Sequence, residues 1–114
     1  MESNSHVVVD TSVLVAFYLS DDEHHESAVK ILKAINHSTL LLHPYVIQET
    51  VTVLTYKSGI LLANKFISDI QAAKNITITD LQVQSELESF KKLRQKISLT
   101  DSVLIKLAIN TGSK

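Results

Sequence analysis

The chain has 114 residues, no cysteine, 45% hydrophobic and 20% charged residues and a formal net charge of −1. This is the balance of one ordinary globular domain, expected over residues 1–114, and it excludes a disulfide scaffold, a thiolate metal site and a disordered chain. The near-neutral charge gives no global attraction to nucleic acid, so any such binding needs a local patch.

Apolar runs fall well short of the roughly 20 residues of a membrane helix. The opening MESNSH lacks the basic start of a signal peptide, so a cytoplasmic protein that does not enter a membrane is expected. In that setting the Asn36-His37-Ser38 and Asn75-Ile76-Thr77 glycosylation patterns are chance matches.

In chain order, His6 to Val9 is a short apolar run ending at Asp10, the pattern of a buried strand. Thr11 and Ser12 suit the N-cap of a helix running from Val13 to Leu19. After the polar break Ser20 to Glu23, residues 24–35 carry Ala28, Ile31, Leu32 and Ile35 at helical spacing. Thr39 to Leu42 reads as a second buried strand, and Pro44 suits the first turn of a helix.

The next segment supports two readings. Thr50 to Tyr56 alternates and is β-branched like a strand, whereas Ile47, Val51 and Leu54 have helical spacing before Gly59. Ile60 to Lys74 is predicted helical through Leu62, Phe66 and Ile70, and Ile76 to Ile78 is a third strand. Residues 82–95 form a helix on the stripe Val83, Leu87, Phe90 and Leu93. Leu99 to Ile109 forms the last helix, capped by Ser98 or Thr100 and ended by Gly112. Alternating β and α segments argue for an α/β fold with a central parallel sheet covered by helices.

Functional groups in such sheets gather beyond the carboxyl ends of the strands. Asp10 ends the first strand, Glu49 sits in an apolar segment after the second, and Asp101 opens the last helix. Carboxylates brought to one edge repel unless a cation joins them, and Mg2+ or Mn2+ is the hard, oxygen-liking ion for such a site. The hydroxyls of Thr11 and Ser12 would then orient its water. Each acid also has a plain alternative: Asp10 and Asp101 as helix caps, Glu49 as a solvated residue. Lys91, Lys92, Arg94 and Lys96 are the densest basic cluster, read either as weak RNA-phosphate contacts or as the wet face of a helix. His24, His25, His37 and His43 lack zinc spacing and read as surface or strand-end residues.

The runs VVVDTSVLVAF, PYVIQETVTVL and SLTDSVLIKLA resemble the three sequential acid motifs of PIN domains, and most closely those of VapC-type ribonuclease toxins of toxin–antitoxin pairs. The resemblance spans Val7 to about Gly112. It implies a three-layer α/β/α sandwich, and it makes Tyr45 to Ser58 a helix. It also implies a Mg2+/Mn2+-dependent endoribonuclease in which Asp10, Glu49 and Asp101 hold one or two ions that activate water and stabilise charge on the scissile phosphate. RNA is the implied substrate, an antitoxin protein the implied partner, and a homodimer built from helices around Ile60, Leu61, Leu62 and Phe66 the implied assembly.

Such domains continue into a further strand that carries a fourth acid and pairs with the first strand. No acid follows Asp101 here, so the expectation is a sheet short of its last strand and a weak or inactive nuclease. The first strand would then be an apolar edge needing cover from a second copy or a partner segment. Two other classes compete: a non-catalytic PIN-like module that binds RNA or an antitoxin, and a phosphotransfer domain. The latter is disfavoured because Ser12 occupies the position where dehalogenase-type enzymes need a second Asp.

Overall fold

A computed structural model of the protein describes residues 5–93 and 96–111. Three strands, β1 (His6–Val8), β2 (Thr39–Leu42) and β3 (Ile76–Ile78), form one parallel sheet in the order β1-β2-β3. Val7 lies opposite Leu40, and Leu41 opposite Thr77. Parallel neighbours require long crossovers. The first is made by α1 (Thr11–Tyr18) and α2 (His25–Ala34), the second by α3 (Pro44–Ser58) and α4 (Ile60–Ala72). After β3, α5 (Val83–Leu93) and α6 (Leu99–Thr111) pack on each other, and α6 returns to lie against β1. The α/β reading holds: among the described residues a parallel sheet is flanked by six helices. Among the described residues β1 pairs with β2 alone and is an edge of the sheet.

The core lies between the sheet and the helices, with Leu104 of α6 joining residues of the earlier elements. Leu42, Val46, Leu54 and Phe66 are essentially inaccessible and contact Val9, Leu14, Leu40 and Ile70. The segment open to two readings is helix α3, because Val46, Thr50 and Leu54, each four residues apart, turn the same way into this core. Thr50 satisfies its buried hydroxyl on the Val46 carbonyl at 2.7 Å. His43 caps α3, its Nδ1 accepting the Tyr45 N–H at 3.0 Å, with Pro44 in the first turn. Gly59 joins α3 to α4 with φ +104°, a conformation that a residue without Cβ adopts readily.

Two sequence expectations need correction. The cap of α1 is Asp10 rather than Thr11 or Ser12: its carboxylate accepts the Val13 N–H at 3.2 Å and the helix begins at Thr11. The stripe predicted for α5 does not form its buried side. Val83 and Leu87 are more than 40% exposed while Glu86 is 5% exposed, because the inward-facing position of α5 meets His43 rather than an apolar wall. Of the two residues expected to cap α6, Ser98 is the one that does so, accepting the Asp101 N–H at 3.0 Å. Arg94 and the predicted helix ends at Gln95 and Gly112 lie outside the described residues.

Candidate functional site

The three acids singled out in the sequence reach one cleft of about 450 Å3 from three elements: Asp10 at the end of β1, Glu49 in α3 and Asp101 in α6. Thr11, Ser12 and Thr100 complete its polar wall, and Val15 and Leu104 its apolar floor. The floor is fixed by burial: both of these residues belong to the core.

Hydroxyls hold two of the carboxylates. Ser12 Oγ donates to Asp10 Oδ1 at 3.0 Å, beside the capping bond from Val13 N. Thr11 Oγ1 donates to Glu49 Oε1 at 2.7 Å and Thr100 Oγ1 to Glu49 Oε2 at 3.1 Å. Glu49 thus spans the cleft from α1 to α6 and is held at both oxygens. Thr11 and Ser12 lie in the cleft as expected, but both hydroxyls are directed at carboxylates. Thr100 was legible only as a cap; no local signal announces its bond to a residue 51 positions away.

The cleft wall offers only carboxylate and hydroxyl oxygens as metal donors, without imidazole or sulfur. That donor set fits a hard divalent cation. Among the described residues no three acids or histidines converge closely enough to form a closed ligand cage. Mg2+ tolerates that openness because it keeps several of its own waters. Of the basic cluster, Lys91, Lys92 and Lys96 are exposed and none lines the cleft; Lys91 faces Glu88 at 3.9 Å.

A profile of the PIN domain family matches residues 7–114 of this chain, a span that contains all three acids. The chain belongs to the PIN domain family. The fold of this PIN domain is also that of a solved toxin. It superposes on the crystal structure of Mycobacterium tuberculosis VapC20, described as a Sarcin-Ricin loop cleaving toxin, with a TM-score of 0.79 at 22% sequence identity, covering 96% of this chain and 85% of that one. Comparison with curated protein sequences returns no match.

Sequence reasoning missed a second polar group in this PIN domain. His43 Nε2 lies 2.8 Å from Glu86 Oε2, and both side chains are almost fully buried. With Nδ1 accepting the Tyr45 N–H, the proton sits on Nε2 and is donated to Glu86. Burial pushes the Glu86 carboxyl up, but bonds from His43 and Tyr45 and from the Gln82 N–H outweigh it and hold the group below the usual carboxylate range. The Glu86 carboxylate in turn raises the Tyr45 hydroxyl.

Proposed function

We propose that this PIN domain is a metal-dependent endoribonuclease of the toxin kind, hydrolysing RNA phosphodiester bonds in the cleft of Asp10, Glu49 and Asp101. The observation that carries the reading is the meeting of three acids, far apart in sequence, on one wall of otherwise oxygen-only chemistry. A bound Mg2+ or Mn2+ would supply Lewis-acid activation of water and neutralise charge developing on the phosphate. The chain's own contribution is positioning. Asp10 and Asp101 would be the metal-facing carboxylates, Ser12 fixes the rotamer of Asp10, and Thr11 and Thr100 hold Glu49 across the gap.

The test is cleavage of RNA with Mg2+ or Mn2+, against EDTA and against Asp10→Asn and Asp101→Asn. Each substitution should lower cleavage by more than about 100-fold, beyond the 10–100-fold typical of losing an outer partner of a ligand. Metal-dependent cleavage that survives both substitutions would overturn the assigned site. The open arrangement of the acids favours a second reading, a non-catalytic module that binds RNA or an antitoxin. It predicts binding without cleavage at any Mg2+ or Mn2+ concentration.

The toxin reading carries partners with it: RNA as substrate, a neutralising antitoxin protein and a cytoplasmic site of action. It also carries a homodimer. Supporting the last is an exposed apolar corner where α3 meets α4, with Tyr56 89%, Ile60 61% and Leu61 83% exposed, although Phe66, expected on that face, is fully buried in the core.

A further inference from the structure

The acid cleft continues past Glu49. A pocket of about 360 Å3 adjoins it and shares two of its walls, Thr11 of α1 and Glu49 of α3. Gln48, Thr52 and Val53 complete the lining. The volume falls within the roughly 300–1,000 Å3 of small-molecule sites.

Helix periodicity builds this pocket. Gln48 and Thr52 lie one turn apart on α3, as do Glu49 and Val53, so two adjacent stripes of the helix stand beside Thr11. The stripes differ in what they leave free. Both oxygens of Glu49 already hold threonine hydroxyls, at 2.7 and 3.1 Å. Thr50, on the buried side of the same helix, spends its hydroxyl on the Val46 carbonyl. The Gln48 carboxamide and the Thr52 hydroxyl are exposed and bond to no described residue. Neutral donors and acceptors are therefore available one step from the carboxylates.

Charge selects what fits there. The neighbouring cleft carries three carboxylates, more than one divalent ion neutralises, and no cation lines it. A phosphate placed in the pocket would be repelled. A cationic group would find no unbonded carboxylate oxygen, because Glu49 is the only charged residue of the lining. A flat, uncharged body with a polar edge suits the Gln48 and Thr52 groups and the methyls of Val53. A nucleobase of single-stranded RNA is such a body. A carboxamide sets a donor beside an acceptor, the pattern that pairs with the amino group and N7 of adenine.

We infer that this pocket seats the base of the nucleotide adjoining the scissile phosphate, that Gln48 reads it and that adenine is preferred. The inference rests on the ribonuclease reading and deepens it. Continuity carries it: Thr11 and Glu49 wall both spaces, so a strand with its phosphate at the three acids lays a neighbouring base against Gln48.

The experiment has two arms. In the first, the whole protein in EDTA is titrated with adenosine, cytidine and uridine while the Gln48, Thr52 and Val53 amides are followed by NMR. Adenosine should shift these amides, and the pyrimidine nucleosides should bind about tenfold more weakly, the scale of one well-placed base contact. Gln48→Met, which keeps side-chain length and helix propensity, should remove that preference. In the second arm, a mixed-sequence RNA is cut with Mg2+ or Mn2+. Adenine should be enriched about tenfold at one nucleotide adjoining the cut, and Gln48→Met should flatten the enrichment. No response to adenosine, an equal response to all three nucleosides, a preference kept by Gln48→Met, or shifts from free arginine alone would overturn the subsite. Cleavage without adenine enrichment would also overturn it, with the ribonuclease reading intact. An adenosine preference lost in Gln48→Met, with no RNA cleavage at all, would overturn the ribonuclease reading and leave Gln48 as the base contact of a binding module.

Discussion

Asp10 divides its carboxylate between two tasks. Oδ1 takes the Val13 N–H and the Ser12 hydroxyl, while Oδ2 receives no hydrogen bond from any described residue and is left to the cleft. The two tasks separate by mutation. Asparagine caps a helix as well as aspartate does, so Asp10→Asn should change unfolding free energy by less than about 0.5 kcal/mol, while Asp10→Ala should cost about 1 kcal/mol. Urea denaturation of both variants beside their cleavage assays checks this. Thr11→Val and Thr100→Val each free one oxygen of Glu49, and should lower metal affinity by roughly 10–100-fold, measured by calorimetric titration. Glu86 yields the pH prediction. Its folded pKa is depressed, so its contribution is complete above the unfolded value of about 4.3 and is lost as pH falls through the lower folded value. Glu86→Gln should therefore flatten the loss of stability below about pH 4, as read by thermal melts across pH. A steep acid loss unchanged in the variant would assign that lability to other carboxylates.

The helices show where side-chain pattern and tertiary packing diverge. Strands β2 and β3 were legible to the residue, because short apolar runs bounded by polar or Pro residues leave little freedom. Helix α3 was not decidable from periodicity. Val46, Thr50 and Leu54 are buried while Gln48 and Thr52 between them are exposed, a division that a helix makes and a strand, with all five on one face, does not. Two substitutions there should behave oppositely. Leu54→Ala opens a cavity in a site with no solvent access and should cost about 2–5 kcal/mol. Thr50→Val removes a hydroxyl whose acceptor carbonyl is already within the helix, and should be close to neutral, within about 0.5 kcal/mol. Gly59→Ala meets no atom within 4 Å, yet φ is +104°, so a cost of about 1–3 kcal/mol would come from backbone strain alone. Helix α5 was misread because its inward position holds a carboxylate. The acids of the cleft stood out as charges interrupting apolar runs, but Thr100 with Glu49 and His43 with Glu86 meet across 51 and 43 residues. No local pattern encodes such meetings.

At the scale of the molecule, a net charge of −1 leaves RNA attraction to local cations. Lys92 and Lys96 are exposed and away from the cleft wall. If they track the RNA backbone, the Lys92→Ala/Lys96→Ala variant should weaken RNA binding and reduce its salt slope by about two. An unchanged slope would leave them as the wet face of α5 and the turn after it. The apolar corner of Tyr56, Ile60 and Leu61 makes a prediction about assembly. Leu61→Glu should convert a dimer into a monomer by light scattering without loss of helicity, whereas a wild-type protein already monomeric at high concentration would remove the corner from consideration as an interface.

The one-sided attachment of β1 has a dynamic consequence. Asp10 rides at the end of a strand whose ladder partner among the described residues is β2 alone, through contacts such as the Val9 N–H to the Leu41 carbonyl at 3.2 Å. In the middle strand Leu41 bonds toward β1, whereas its neighbours bond toward β3: the Leu40 N–H donates to the Asn75 carbonyl at 2.7 Å and the Leu42 carbonyl accepts the Thr79 N–H at 2.9 Å. Amide hydrogen exchange should accordingly be slower at Leu40, whose N–H is held from the β3 side, than along His6 to Val9 and at Leu41, because opening β1 breaks one ladder and leaves the other intact. Any ligand that engages Asp10 then acts as a clasp on that strand, and its arrival should be visible as slowed exchange at Val7 and Val9, before a single phosphodiester bond is cut.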